Sequence, residues 1–134
     1  MGDACVLREV ACMVRGIGID LQSYSEMDLP MDDPFMRKVF TEAERTEASK
    51  RDHRLPYLAG RFAAKEAAVK ALGIDTDHVR LDEIETLDDA CGIPHLSFSG
   101  SLARIAADAG AVEPPLVSIS HKDGMSVAMV LLQG

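Results

Sequence analysis

Apolar positions along this chain follow two periods, and the change from one to the other marks the elements. Residues 14–19, Val-Arg-Gly-Ile-Gly-Ile, form a short apolar run loosened by glycine and predict a buried strand ending at Asp20. Residues 21–36 are polar and acidic, and Pro30 and Pro34 predict a loop or a short broken helix there. Thr41-Glu42-Ala43-Glu44 is a capping box that opens a helix over 42–50. Pro56 suits a first helical turn, and from it to Leu72, before Gly73, runs the strongest helical pattern in the chain. Ala63, Ala64, Ala67, Ala68 and Ala71 share one face with Gly60, a smooth surface that another backbone can approach closely. Strands follow over 79–87 and 94–98, joined by a turn around Asp88 to Gly92. Ser101 to Ala109 reads as a short helix ended by Gly110, and Pro114-Pro115 breaks the chain. Residues 116–120 and 125–132 alternate as strands, with Lys122-Asp123-Gly124 as a hairpin turn.

The order is strand, helices, strands, helix, hairpin, which predicts an α+β fold with an antiparallel sheet packed on the long central helix. A length of 134 residues fits one domain, small enough to gain from oligomerisation. No apolar run approaches the ~20 residues of a membrane span, and Met1 to Met13 lacks the apolar core of a secretory signal. Cys5, Cys12 and Cys91 match no zinc spacing and read as reduced thiols of a cytosolic protein.

The net charge of −8 argues against nucleic acid as a partner. The charge is unevenly placed. Residues 37–70 hold nine cations against five acids, so the rest of the chain carries all of the negative excess. Such a cationic stretch suits an anionic ligand or a solvated helical face, and charge alone favours the second.

Within that stretch Arg61 and Lys65 are i,i+4 neighbours expected to project together, and Glu66 and Lys70 form a second such pair. The pair reads either as a surface salt bridge or as a metal carboxylate beside a phosphate-binding lysine, and spacing does not separate the two. Asp20 alone reads as a turn former; together with Glu66 it would supply the two carboxylates that magnesium commonly takes. Lys70 would then neutralise charge developing on a diphosphate. Ser118, Ser120 and His121 lie just before the hairpin turn, where they suit hydrogen bonds to a phosphate or ribose better than a nucleophile–base pairing. Gly16-Ile17-Gly18 lacks the rest of a dinucleotide fingerprint, and no Walker-type lysine follows it.

Five segments together resemble the bacterial holo-acyl-carrier-protein synthases, the small type of 4′-phosphopantetheinyl transferase. They are Gly16-Ile17-Gly18-Ile19-Asp20-Leu21, Phe40-Thr41-Glu42-Ala43-Glu44-Arg45, Leu58 to Ala67 (Leu-Ala-Gly-Arg-Phe-Ala-Ala-Lys-Glu-Ala), Gly92-Ile93-Pro94 and Ser118-Ile119-Ser120-His121. They occur in family order over roughly residues 13 to 132, and the segment around Lys65-Glu66 is the most specific.

The resemblance implies a cytoplasmic, magnesium-dependent transferase of this fold. It would move the 4′-phosphopantetheine arm of coenzyme A to a serine of an acyl carrier protein, for fatty-acid or polyketide synthesis. Asp20 and Glu66 are implied as magnesium ligands, and Lys70 as the lysine at the coenzyme A diphosphate. Arg61, Lys65, Ser120 and His121 fall where the family binds the phosphates and nucleotide of coenzyme A. The general base is open between the two carboxylates and a water on the metal. The family's homotrimers place active sites between subunits, with which the alanine face of the long helix agrees. Residues 1–12 precede the usual family start, and 13–134 would be the single transferase domain. The family grips its acidic carrier with a basic segment after the first aspartate, whereas Glu26, Asp28, Asp32 and Asp33 make that segment acidic here. Arg37, Lys38, Arg45 and the basic run at 50–54 are the candidate replacements. Two other functions fit the same groups: a non-catalytic coenzyme A-binding oligomerisation module, and a magnesium-dependent nucleotide or diphosphate hydrolase.

Overall fold

Gly16 and Gly18 fix how the first strand meets the long helix. A Cβ on Gly16 would collide with the carbonyl oxygen of Ala71, and one on Gly18 with that of Ala67. Only glycine facing alanine lets strand and helix backbones touch this closely. The computed structural model describes residues 13–134; the proposed extension at 1–12, with Cys5 and Cys12, lies outside the described residues.

The elements run β1 (Val14–Ser23), α1 (Pro34–Val39), α2 (Glu42–Ser49), α3 (Arg54–Leu72), β2 (Ile84–Asp88), β3 (Pro94–Phe98), α4 (Gly100–Asp108), β4 (Leu116–Lys122) and β5 (Met125–Gln133). Single 3₁₀ turns lie at Tyr24–Met27, Thr76–His78 and Leu81–Glu83. β1, β5 and β4 form an antiparallel sheet in that order, and β2 pairs with β3 in a separate two-stranded ribbon. The architecture is the expected α+β arrangement around α3.

Along β1 and β5 alternate side chains face α3. Ala128, Val130 and Leu132 join the alanines of α3, Ile84, Leu96 and Leu102 in one core, and Met36, Phe40, Tyr57 and Leu58 centre a second. The alanine face therefore packs on this chain's own sheet rather than on another subunit. The opposite sheet face stays open, with Ile17, Ile19, Leu21, Leu116 and Met129 exposed.

Three sequence expectations are corrected in extent. β1 continues past Asp20 to Ser23. Of the loop or short broken helix expected over 21–36, the helix α1 forms and runs on to Val39, starting where the Asp33 carboxylate accepts from the Phe35 amide and Pro34 takes the first turn. The strand expected over 79–87 begins only at Ile84, because the Lys65 ammonium gathers the carbonyls of Leu81 and Ile84 and curls the intervening chain into a 3₁₀ turn. The capping box on α2 and the left-handed Gly73 after α3 form as expected. Asp123 and Gly124, both at positive φ, make the hairpin turn between β4 and β5. No helix among the described residues is long and apolar enough to cross a membrane.

Candidate active site

The close contact of β1 with α3 sets the first group of site residues. Gly16, Gly18, Asp20 and Gln22 share the helix-facing side of the strand. With Gly18 seated on Ala67, Asp20 arrives beside the turn of α3 that carries Glu66 and Lys70. The Lys70 ammonium donates to the Ile19 carbonyl at 2.9 Å and to Asp20 Oδ1 at 3.1 Å. Lys70 thus pairs with a residue 50 positions away rather than with its helical neighbour Glu66. Burial and then the nearby Asp20 carboxylate push the Glu66 carboxyl above its ordinary value, with Lys70 pulling the other way. Two neighbouring carboxylates, both partly exposed, make a set of hard oxygen donors that fits magnesium. A dication there would relieve the repulsion that one lysine only partly offsets.

A second group lines a cavity of 260 Å³ bounded by Arg51, His53, Tyr57, Arg61, Pro94 and His121. Arg61 is nearly buried; its Nε donates to the Thr86 carbonyl and its Nη2 to Asp88 Oδ1 at 2.6 Å. The guanidiniums of Arg51 and Arg61 lie over the Tyr57 ring, 4.5 Å and 4.2 Å from its centroid. His121 reaches the cavity because Gly60 has no side chain; a Cβ there would sit 3.1 Å from the ring's Cε1. Ser126 Oγ pairs with His121 Nδ1 at 2.7 Å and fixes the ring. Burial, then the Arg61 charge, hold the His121 pKa below its ordinary 6.5, so the ring is neutral at physiological pH. A neutral imidazole, two guanidiniums and a phenol suit the phosphate and base of a nucleotide.

Two expected ligand residues do not join these groups. Lys65 projects with Arg61 onto β2, where Arg61 reaches the Thr86 carbonyl and Lys65 that of Ile84, but Lys65 does not reach the cavity. It is fully buried, paired with Glu44 Oε1 at 2.8 Å and bonded to the carbonyls of Leu81 and Ile84. Desolvation lowers its pKa, against the opposing pull of Glu44. A cation so enclosed offers no surface to a phosphate, so Lys65 is corrected from a ligand contact to a structural one. Ser120 sits opposite Val127 on the sheet face turned away from α3, whereas His121 sits opposite the buried Ser126. Within one protomer, then, Ser120 does not enter the cavity that holds His121.

Sequence reasoning missed Asp88, Arg51 and Tyr57 as lining of that cavity, and Glu44 as more than a capping residue. Glu44 also accepts from the Thr86 amide and thereby ties α2 to β2. The dense cations at 50–61 were the available signal for Arg51; nothing local marked Asp88.

This fold and pair of sites define a class. The model of the 4′-phosphopantetheinyl transferase superfamily matches residues 16–122. The holo-[acyl-carrier-protein] synthase of Halothermothrix orenii is 35% identical over 122 residues, covering 89% of this chain and 97% of its own. The crystal structure of holo-[acyl-carrier-protein] synthase from Neisseria meningitidis superposes with a TM-score of 0.80 at 28% identity, covering 91% of this chain and 100% of that one. That of the Bacillus anthracis synthase, in complex with CoA (3′,5′-ADP), gives 0.73 at 34% identity, covering 91% and 98%. The chain belongs to the 4′-phosphopantetheinyl transferase superfamily, in its holo-[acyl-carrier-protein] synthase family.

Proposed function

We propose that this chain transfers the 4′-phosphopantetheine group of coenzyme A to a serine of an acyl carrier protein, converting the apo carrier to the holo form. One observation carries the reading: the chain, matched to this family over most of its length, gathers Asp20, Glu66 and Lys70 from distant positions into one cluster. Asp20 and Glu66 would hold a magnesium ion, which when bound supplies positive charge to the diphosphate of coenzyme A. Lys70 takes the diphosphate side, where its ammonium meets negative charge as it develops. The serine oxygen forms a bond to the β-phosphorus as the bond to the bridging oxygen breaks. The serine proton passes to a base, and adenosine 3′,5′-bisphosphate leaves with the displaced electron pair. Arg61 and His121 hold the nucleotide end, with Arg61 suited to the remaining phosphate on the ribose.

The surface supports two further assignments. Arg37 and Lys38 lie in the last turn of α1 beside a groove of 990 Å³ floored by Phe35, Phe62 and Leu81. Phe62 is one helical turn before Glu66, so an acidic carrier resting on α1 would bring its serine toward the metal pair. Asp33, in the acidic segment before it, is already engaged in capping α1. The open apolar sheet face is the surface on which protomers would join as a homotrimer. Ser120 lies on that face, where it could act across subunits. The holo carrier would serve fatty-acid or polyketide synthesis in the cytoplasm.

Incubation with coenzyme A, magnesium and apo carrier proteins, followed by intact-mass measurement of the carriers, tests the function. A carrier heavier by one phosphopantetheine supports it. Tight coenzyme A binding with no carrier modified would make the chain a binding module, and free phosphopantetheine released without carrier would make it a hydrolase.

A further inference from the structure

The Arg61 cavity already contains an anion, and it belongs to the protein. Asp88 Oδ1 is 2.6 Å from Arg61 Nη2, and its Oδ2 is 3.6 Å from Arg51 Nη2. One carboxylate thus spans both guanidiniums that face the proposed nucleotide end. We infer that Asp88 is an internal counter-ion that holds the ribose-phosphate position of the cavity and yields it when coenzyme A binds, so that it sets the affinity for that phosphate. This rests on the coenzyme A reading above.

The geometry supports an exchange rather than a permanent pair. The Arg61 side chain is 6% exposed, so without a ligand its charge requires a partner. The Asp88 side chain is 27% exposed and stands at the last position of β2, beside the turn at 89–92. Side-chain rotation there carries the carboxylate to water without breaking the ribbon. A phosphate dianion and the Asp88 carboxylate facing the same guanidiniums would repel each other at close range. Two of the five N–H donors of Arg61 have partners, on Thr86 and Asp88. Tyr57 also lines the cavity, and its hydroxyl is buried with no hydrogen-bond partner. Displacing Asp88 therefore opens a site with donors ready for a phosphate. The carboxylate keeps Arg61 compensated when the site is empty, and by competing it loosens both coenzyme A and the adenosine 3′,5′-bisphosphate that leaves after transfer.

Calorimetric titration of the parent and Asp88→Asn with coenzyme A, 3′-dephospho-coenzyme A and adenosine 3′,5′-bisphosphate tests this. Asp88→Asn should bind coenzyme A and the bisphosphate roughly tenfold more tightly, as expected for removing a charged competitor. Its affinity for the dephospho form should stay within about twofold. Asp88→Ser, read alongside a thermal melt, makes the same prediction and serves if the asparagine variant does not fold. Unchanged or weaker coenzyme A binding by a folded variant overturns the inference, as does an equal gain for the dephospho form. If the parent binds none of the three ligands, the coenzyme A reading fails and takes this inference with it; if the parent binds and the variants gain nothing, this inference alone fails.

Discussion

Lys65 and Glu44 are both fully buried, and each is the other's countercharge. Removing one leaves the other uncompensated in the core, which generally costs about 3–5 kcal/mol. Lys65→Met should lower the unfolding free energy by about that much, read by chemical denaturation. Adding Glu44→Gln should recover part of the loss; a Lys65→Met protein as stable as the parent would contradict the structural role. His121 makes a separate prediction through pH. Its folded pKa lies below the ordinary 6.5, so the unfolded chain binds the proton more readily. The stability this lends is fully present above 6.5 and is lost as pH falls from there through the folded value. Stability curves of the parent and His121→Gln between about pH 7 and 5 should diverge, the parent losing more on acidification; parallel curves would mean that His121 has no depressed pKa. Which of these side chains could be read from the sequence follows from how each is placed. Asp20 and Glu66 stand in segments that resemble the family's, and Lys70 follows one helical turn after Glu66, so their meeting was expected. The depth of Lys65 depends on a loop sixteen residues away wrapping over it, which no helical spacing reveals. Asp88 meets Arg61 across 27 positions through a ribbon edge, and its own neighbours carry no sign of that.

At the scale of elements, the meeting of β1 with α3 does most to position the site. Gly18→Val would drive a side chain into the Ala67 backbone and push β1, with Asp20, off the helix. We expect a loss of about 2–4 kcal/mol in stability, and a larger fractional loss of transfer than of coenzyme A binding at the Arg61 cavity. Equal stability and full transfer would show that the close approach is dispensable. α3 was legible because its apolar pattern runs unbroken from Pro56 to a glycine stop. α1 was less so, since a six-residue helix after an acidic, proline-containing segment carries too few turns to show a period. The stretch over 79–83 read as strand because its apolar residues alternate, yet hydrogen bonds to Lys65 outweigh that local preference.

At the scale of the whole molecule, one sheet face is covered by α3 and the other is bare among the described residues. Ile17, Ile19 and Leu21 are each about 60% exposed on that bare face, more contiguous apolar surface than an isolated protomer usually keeps in water. With protomers joined through this face as proposed, Ile19→Asp should shift the protein to monomer in sedimentation or light scattering without unfolding it; an unchanged mass would remove this face as the interface. The alanine face of α3, with which a homotrimer was expected to agree, is taken up within the protomer. Alanine on a helix marks close packing without saying whether the partner is the same chain, and here it is. The central claim is narrower than the assembly: Asp20 and Glu66 hold one divalent ion against the diphosphate of coenzyme A. A crystal structure with coenzyme A and magnesium measures this directly. It should show both carboxylates on one ion at about 2.1 Å, the diphosphate on the same ion, and the nucleotide against Arg61 and His121. An ion bound elsewhere, or a nucleotide lodged away from that cavity, would contradict the account.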